Sequence, residues 1–236
     1  RAKAFLFVLC SILLLGACGT PKTGGTIYNI MDYGAKGDGV TDDAAAIRSA
    51  DGIVLPGVGA FADAMATMNE TGQADAIRAA VAAGAPFLGI CLGLHLLFEW
   101  GDEGCPAGTR MEGLGILPGH VMRVESFDPA GNKLKVPHVG WNTVDFTQTV
   151  QIDGQAASPV PLFAGVPDHS HFYFTHSYNV VADSADDVIA TTTHARPFDS
   201  AVAHGLVFGV QFHPEKSSAL GLRVLSNFGT IVESFG

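Results

Sequence analysis

The stretch PFLGICLGLHLLFE, residues 86–99, limits the fold more than any other part of the chain. An apolar run short enough for a strand passes through Gly89-Ile90-Cys91-Leu92-Gly93 into a second run with apolar residues at helical spacing. A fully apolar strand that turns directly into a helix belongs to a parallel sheet covered on both faces. Glycines on either side of Cys91 let the backbone approach closely at the turn. A side chain placed there stands off the carboxyl end of the strand, the sulfur counterpart of a nucleophile elbow. The helix behind it favours a thiolate and offers N–H donors. The competing reading is a buried core thiol, since free cysteine is among the most buried residue types.

The same alternation runs through the rest of the chain from Asp51. GIVLPGVGAF reads as a buried strand entering a glycine-rich turn. FADAMATMNETG and ADAIRAAVAAG read as helices that Gly72 and Gly84 terminate, and the helix after Cys91 is predicted to run to Trp100. HFYFTHSYNV, DVIATTT and LVFGVQF read as strands, and SALGLRVLSNFGTIVESF as a closing helix. Residues 113–150 are richer in turns and predict hairpins. With 236 residues, 47% of them hydrophobic, the chain suits one α/β domain with a substantial core and a short appendage.

Thirteen Lys and Arg against 23 Asp and Glu give a net charge of −10, and no basic cluster is present, which argues against a nucleic-acid partner. Of the four cysteines, Cys10 and Cys18 lie in the leading apolar stretch, so the body holds only Cys91 and Cys105 and no CxxC pair. That body reads as a reduced, intracellular protein.

A thiol nucleophile needs a base. GVQFHPEKS, residues 209–217, offers His213 and Glu215 at the end of an apolar strand, with Pro214 breaking the strand between them. A carboxylate near an imidazole orients it and stabilises its protonated form. In LPGVGAF, residues 55–61, Gly57 and Gly59 leave backbone N–H groups free to face an oxyanion. A tight turn and a surface histidine at a strand end are the ordinary alternatives for these two motifs taken singly.

Together, in this order, the three elements resemble class I glutamine amidotransferases. Residues 51–236 are similar to the glutaminase subunits of imidazole glycerol phosphate synthase, through DGIVLPGVGAF, GICLGLHLLFE, KVPHVGWN, FYFTHSY and GVQFHPEKS. The resemblance implies an α/β, three-layer amidotransferase fold with a mostly parallel central sheet and atypical N-terminal elements. It implies a triad of Cys91, His213 and Glu215, with Gly57, Val58 and Leu92 as oxyanion donors. It places Gly59, His95, His176, Ser177 and Tyr178 at the glutamine site. Pro137, His138, Trp141 and Asn142 would face a (β/α)₈-barrel cyclase subunit that takes up the ammonia. No cofactor is implied. The alternatives are a glutaminase serving another synthase and an inactive, lipid-anchored hybrid.

The sequence departs from that family in two places. His95 stands where the family usually has Gln, one turn after Cys91, where it is expected to touch the substrate. The N-terminus departs further. Residues 1–18, with Arg1 and Lys3 before an apolar run ending Leu15-Gly16-Ala17-Cys18, resemble a lipoprotein signal; a buried apolar helix or strand is the other reading. Residues 19–26 are a linker by composition, and 27–50 resemble the opening segment of pectate-lyase-like β-helix proteins, although no β-helix repeat follows. The two parts read as joined near Ala50. IMDYGA imitates the family's first strand, yet a helix runs straight into Asp51, so the sheet is expected to lack a strand there. Function points to the cytoplasm, and the signal-like start, which alone would bring in a membrane, conflicts with it. His169 and His171 are the remaining metal candidates, but they lack completing ligands nearby, so no metal is assigned.

Overall fold

The structure, a computed structural model, describes residues 5–7, 43–148, 150–152 and 155–235. In chain order its elements are β1 (Phe5–Phe7), α1 (Asp43–Arg48), β2 (Gly52–Gly57), α2 (Phe61–Glu70), α3 (Gln73–Ala82), β3 (Phe87–Cys91) and α4 (Leu92–Leu96). There follow β4 (Trp100–Gly101), β5 (Met111–Glu112), β6 (Gly119–Arg123), β7 (His138–Phe146), β8 (Val150–Ile152) and β9 (Gln155–Ala157). The chain continues through β10 (Ser170–His176), β11 (Tyr178–Ala182), β12 (Val188–His194), β13 (Arg196–His204) and β14 (Val207–Val210), and closes with α5 (Ser218–Phe235).

One mixed sheet carries most of these strands, in the order β1-β2-β3-β14-β13-β11-β6-β4-β5, with β7, β10 and β12 joined off that path. The strands around Cys91 are parallel: β2 and β14 flank β3, with Gly57 opposite Cys91 and Val210 opposite Ile90. Beyond β14 the pairing with β13, β11 and β6 is antiparallel, so the sheet is parallel at the elbow and mixed as a whole. The hairpins expected in residues 113–150 are not formed by their strands: β6 pairs with β4 and β11, β7 with β10 and β12, and only an isolated antiparallel bridge between Phe127 and Lys133 lies within the segment.

Side chains alternate across the parallel strands and build two cores. On one face Ile53, Leu55 and Phe87 pack with Phe61, Met65 and Ile77 of α2 and α3. On the other, Val54, Leu88 and Ile90 pack with Phe212 and with Val224, Phe228 and Val232 of α5. Helices on both faces of one sheet make the expected three layers. Phe87, Phe172, Phe212 and Phe228 are all essentially inaccessible, and truncating one such ring typically costs about 3–5 kcal/mol.

Three local expectations change. The helix after Cys91 ends at Leu96 rather than reaching Trp100. Backbone N–H groups of Leu114, Ile116 and Gly115 donate to the carbonyls of Leu96, Leu97 and Phe98, taking the acceptors a longer helix would need. HFYFTHSYNV is two strands: β10 pairs with β7, β11 pairs with β6 and β13, and Ser177 makes the switch. The edge beside β2 is filled, because Phe5–Phe7 pairs parallel with Gly52, Ile53 and Val54. The signal, linker and pectate-lyase-like readings fall almost entirely outside the described residues, as does IMDYGA; α1 is the exception, and its Ala44 and Ile47 are buried in the first core.

Candidate active site

Cys91 ends β3 and caps α4 with φ 53° and ψ −107°, a left-handed conformation unusual for any residue but glycine. Such strain is retained where surrounding packing over-determines it. Here two glycines supply that packing. A Cβ on Gly93 would sit 1.7 Å from the Leu55 carbonyl oxygen, and one on Gly89 would sit 2.5 Å from the Gly93 carbonyl oxygen. The glycines in Gly-Ile-Cys-Leu-Gly are therefore required by helix–strand contact, and they press the start of α4 against the end of β2. Cys91 is 5% exposed, so the thiol is buried and presented at once.

His213 follows β14 and is 3% exposed. Its backbone N–H donates to the Tyr173 carbonyl (2.9 Å), and its carbonyl accepts the Ser217 hydroxyl (2.6 Å). These bonds lock the peptide while Pro214 starts a single 3₁₀ turn. Nδ1 lies 2.8 Å from Glu215 Oε1. Nε2 is buried with no hydrogen-bond partner among the described residues. Burial alone would lower the imidazole pKa, but the Cys91 sulfur and the Glu215 carboxylate outweigh it and hold the pKa up to about 9. Glu215 moves the opposite way: burial pushes it up, and the His213 partner pulls it below the usual carboxylate range. The side chain of His213 is thus cationic at neutral pH, with the proton-bearing Nε2 free for a reacting group.

One cavity of about 300 Å³ opens at Cys91, lined by Val58, Gly59, Cys91, Leu92 and His95, by Glu103 and Pro137, and by Thr175 to Tyr178. Most of the predicted site residues therefore meet in one place. Gly57 faces Cys91 across the β2–β3 ladder, and the exposed Val58 and Gly59, the latter at φ 116°, form the loop over the sulfur.

Glu103 was not anticipated from sequence, since GDEGC reads only as a polar loop. Its carboxylate accepts the Phe61 N–H at 3.3 Å, capping α2, whose own N-cap residue Ala60 has no side-chain acceptor. Burial raises its pKa, and the Phe61 bond offsets part of that rise. It brings a single carboxylate to the rim of the cavity.

Three predicted contact residues face inward. His176 donates from Nδ1 to the Tyr178 carbonyl (2.7 Å), which leaves Nε2 as an acceptor. His138 Nδ1, 2.9 Å away, must then be the donor, and His138 Nε2 accepts from Asn142 Nδ2 at 3.1 Å. Both rings are neutral and 5% exposed, and burial lowers the pKa of each, to about 4 for His138. His138 and Asn142 thus hold the His176–Tyr178 turn from behind instead of presenting their polar atoms outward; Asn142 also donates to the Thr193 carbonyl. Pro137 is exposed at the cavity, and Trp141, beside Tyr173, and Val139, each 52% exposed, are the large apolar residues that β7 leaves uncovered. His169 pairs with Asp145 (2.6 Å), and among the described residues no cluster of His, Cys, Asp or Glu could hold a metal ion.

The comparisons agree with this geometry. The family model "Glutamine amidotransferase class-I" matches residues 16–231. The imidazole glycerol phosphate synthase subunit HisH of Moorella thermoacetica is 47% identical over 197 residues, 84% of this chain and 84% of its own. The subunit of the same name from Syntrophotalea carbinolica is 44% identical over 203 residues, 86% and 90% of the two chains. Among solved structures, a glutamine amidotransferase from Thermotoga maritima shares the fold over 99% of this chain and 86% of its own, at 14% identity and TM-score 0.53. With a strained cysteine, a cationic His–Glu pair and these relatives in view, the chain belongs to the class I glutamine amidotransferases, alongside the HisH subunits of imidazole glycerol phosphate synthase.

Proposed function

We propose that this protein hydrolyses glutamine at Cys91 and passes the ammonia to a (β/α)₈-barrel cyclase subunit that forms imidazole glycerol phosphate in histidine biosynthesis. The observation that carries the reading is Cys91 in the wall of a cavity with a single carboxylate at its rim, together with the buried His213–Glu215 pair whose raised pKa is owed in part to the Cys91 sulfur. The thiolate of Cys91 attacks the side-chain amide carbon, and the developing oxyanion is received by backbone N–H groups of Gly57, Val58 and Leu92. His213 gives its Nε2 proton to the departing nitrogen, the C–N bond breaks, and ammonia leaves a glutamyl thioester. Neutral His213 then takes a proton from water, which attacks the thioester; the C–S bond breaks, and glutamate and the Cys91–His213 ion pair are restored. Glu215 keeps the imidazole in the tautomer and orientation both steps need.

Glutamine recognition follows from what the cavity leaves unpaired. The Glu103 carboxylate receives the α-ammonium group, and backbone groups of Gly59, Ser177 and Tyr178 meet the α-carboxylate end. Trp141 and Pro137, with the Val58 loop, form the cyclase-facing rim, so partner docking and the oxyanion loop share one edge. This reading places the protein in the cytoplasm, with the amidotransferase body from Asp51 onward; membrane attachment would follow only if the signal-like residues 1–18 were used. Among the described residues no helix is long and apolar enough to cross a membrane. The test is glutamate release with and without the cyclase subunit, in wild type and Cys91→Ser. Cyclase-stimulated release lost in Cys91→Ser supports the proposal; release that survives the substitution, or that another synthase stimulates instead, overturns it.

A further inference from the structure

His95 lies beside the nucleophile, in the wall of the cavity, with its side chain bonded away from solvent. It is 3% exposed, and its Nε2 lies 2.8 Å from Gln211 Oε1. Gln211, which is fully buried in the strand-end segment before His213, donates from Nε2 to Cys91 Sγ at 3.7 Å. The other His95 nitrogen, Nδ1, has no hydrogen-bond partner among the described residues. An amide has one donating and one accepting end, so whichever end faces sulfur fixes the other. Opposite a thiolate only the NH₂ end is attractive, which turns Oε1 towards His95 and requires the imidazole proton on Nε2.

We propose that His95 is a positioning residue: its Nε2–H fastens the Gln211 amide with the NH₂ group on Cys91 Sγ, so that a buried amide holds the sulfur in place. The inference rests on reading Cys91 as the nucleophile. It explains why an imidazole is tolerated one turn after the cysteine: what the site needs there is a buried N–H donor at the right height, and burial, lowering the His95 pKa to about 4, keeps the ring neutral at working pH despite the Gln211 bond. A neutral ring donates one proton and adds no charge beside the cationic His213.

The experiment is the pH dependence of Cys91 alkylation by iodoacetamide in the full chain, followed by peptide mass so that other thiols do not contribute. Iodoacetamide needs neither glutamine nor the cyclase, so the readout stands even if the proposed substrate or partner is wrong; that failure would appear separately, as intact Cys91 reactivity without glutamate release. His95→Leu removes the donor and is expected to slow alkylation at neutral pH about tenfold and to move the rate profile about one pH unit alkaline. His95→Gln restores a donor and is expected to stay within about twofold of wild type, since one donor replaces another. With the cyclase present, His95→Leu is expected to lower kcat alongside the alkylation rate. If His95→Leu does not fold, His95→Met, unbranched and equally without a donor, carries the same expectation. An unshifted alkylation profile in the donor-free variant, or a kcat left unchanged there, would overturn the proposal.

Discussion

The two ring nitrogens of His213 are treated unequally: Nδ1 sits 2.8 Å from Glu215 Oε1, while Nε2 is buried with no hydrogen-bond partner among the described residues. The carboxylate and the Cys91 sulfur together hold the ring cationic up to about pH 9. Glu215→Gln removes the charge and the tautomer control together. It is expected to lower kcat by about 100-fold, within the range of general acid–base effects, and to move the alkaline limb of the kcat/KM profile to lower pH. A pH–rate profile of the variant with the cyclase present measures both; an unmoved alkaline limb would separate that limb from His213.

Glu103 predicts a different kinetic pattern. Its carboxylate borders the cavity and also caps α2. Glu103→Gln keeps an oxygen for the Phe61 N–H but loses the charge that receives an ammonium group. The expected outcome is a glutamine KM raised about tenfold or more with kcat changed much less, read from steady-state kinetics.

Acid stability tests the buried histidines. Burial lowers the pKa of His95 and His138 to about 4 and pushes that of His176 well down as well, while each is near 6.5 when unfolded. Below about pH 6.5 the unfolded chain binds protons that the folded chain refuses. Stability should therefore fall on acidification, by up to about 1.4 kcal/mol per pH unit for each of these groups. His213 adds nothing to that slope, because its raised pKa makes it protonated in both states there; its contribution is instead lost as pH rises through about 9. Denaturant titrations at a series of pH values check this, and equal stability at about pH 7 and pH 5 would contradict it.

Gly93→Ala tests the elbow itself. The new methyl would lie 1.7 Å from the Leu55 carbonyl oxygen, a backbone atom with no room to yield. Overpacking typically costs about 1–3 kcal/mol and this case belongs at or beyond the upper end, so the thermal midpoint should fall by several degrees or more. Gly72→Ala, at φ 72° with nothing within 4 Å of its Cβ, is the contrasting case, left-handed strain without a clash.

How much of this was legible beforehand depends on the range of the interactions. The Cys91 elbow and the His-Pro-Glu turn were readable because their causes are local: glycines two residues from the cysteine, and a proline that ends a strand. The end of α4 at Leu96 was not, because its carbonyls are taken by a loop around Leu114 to Leu117, far along the chain. Nor was the break at Ser177, where two strands diverge because β7 and β6 lie in different parts of the sheet. His138 was expected at the cyclase-facing edge with the rest of KVPHVGWN, yet its bond to His176 turns it inward. Gln211 offered a clue that went unused, a polar residue at the end of an apolar strand just before the histidine.

The most direct test of the central claim is peptide-mapped mass after exposure of the protein to an electrophilic glutamine analogue, with Cys91→Ser as control and the cyclase subunit present or absent. The account predicts one adduct, on Cys91, absent from the control and formed faster when the cyclase is bound. An adduct on Cys105 instead, or none from a chain shown by circular dichroism to be folded, would contradict it.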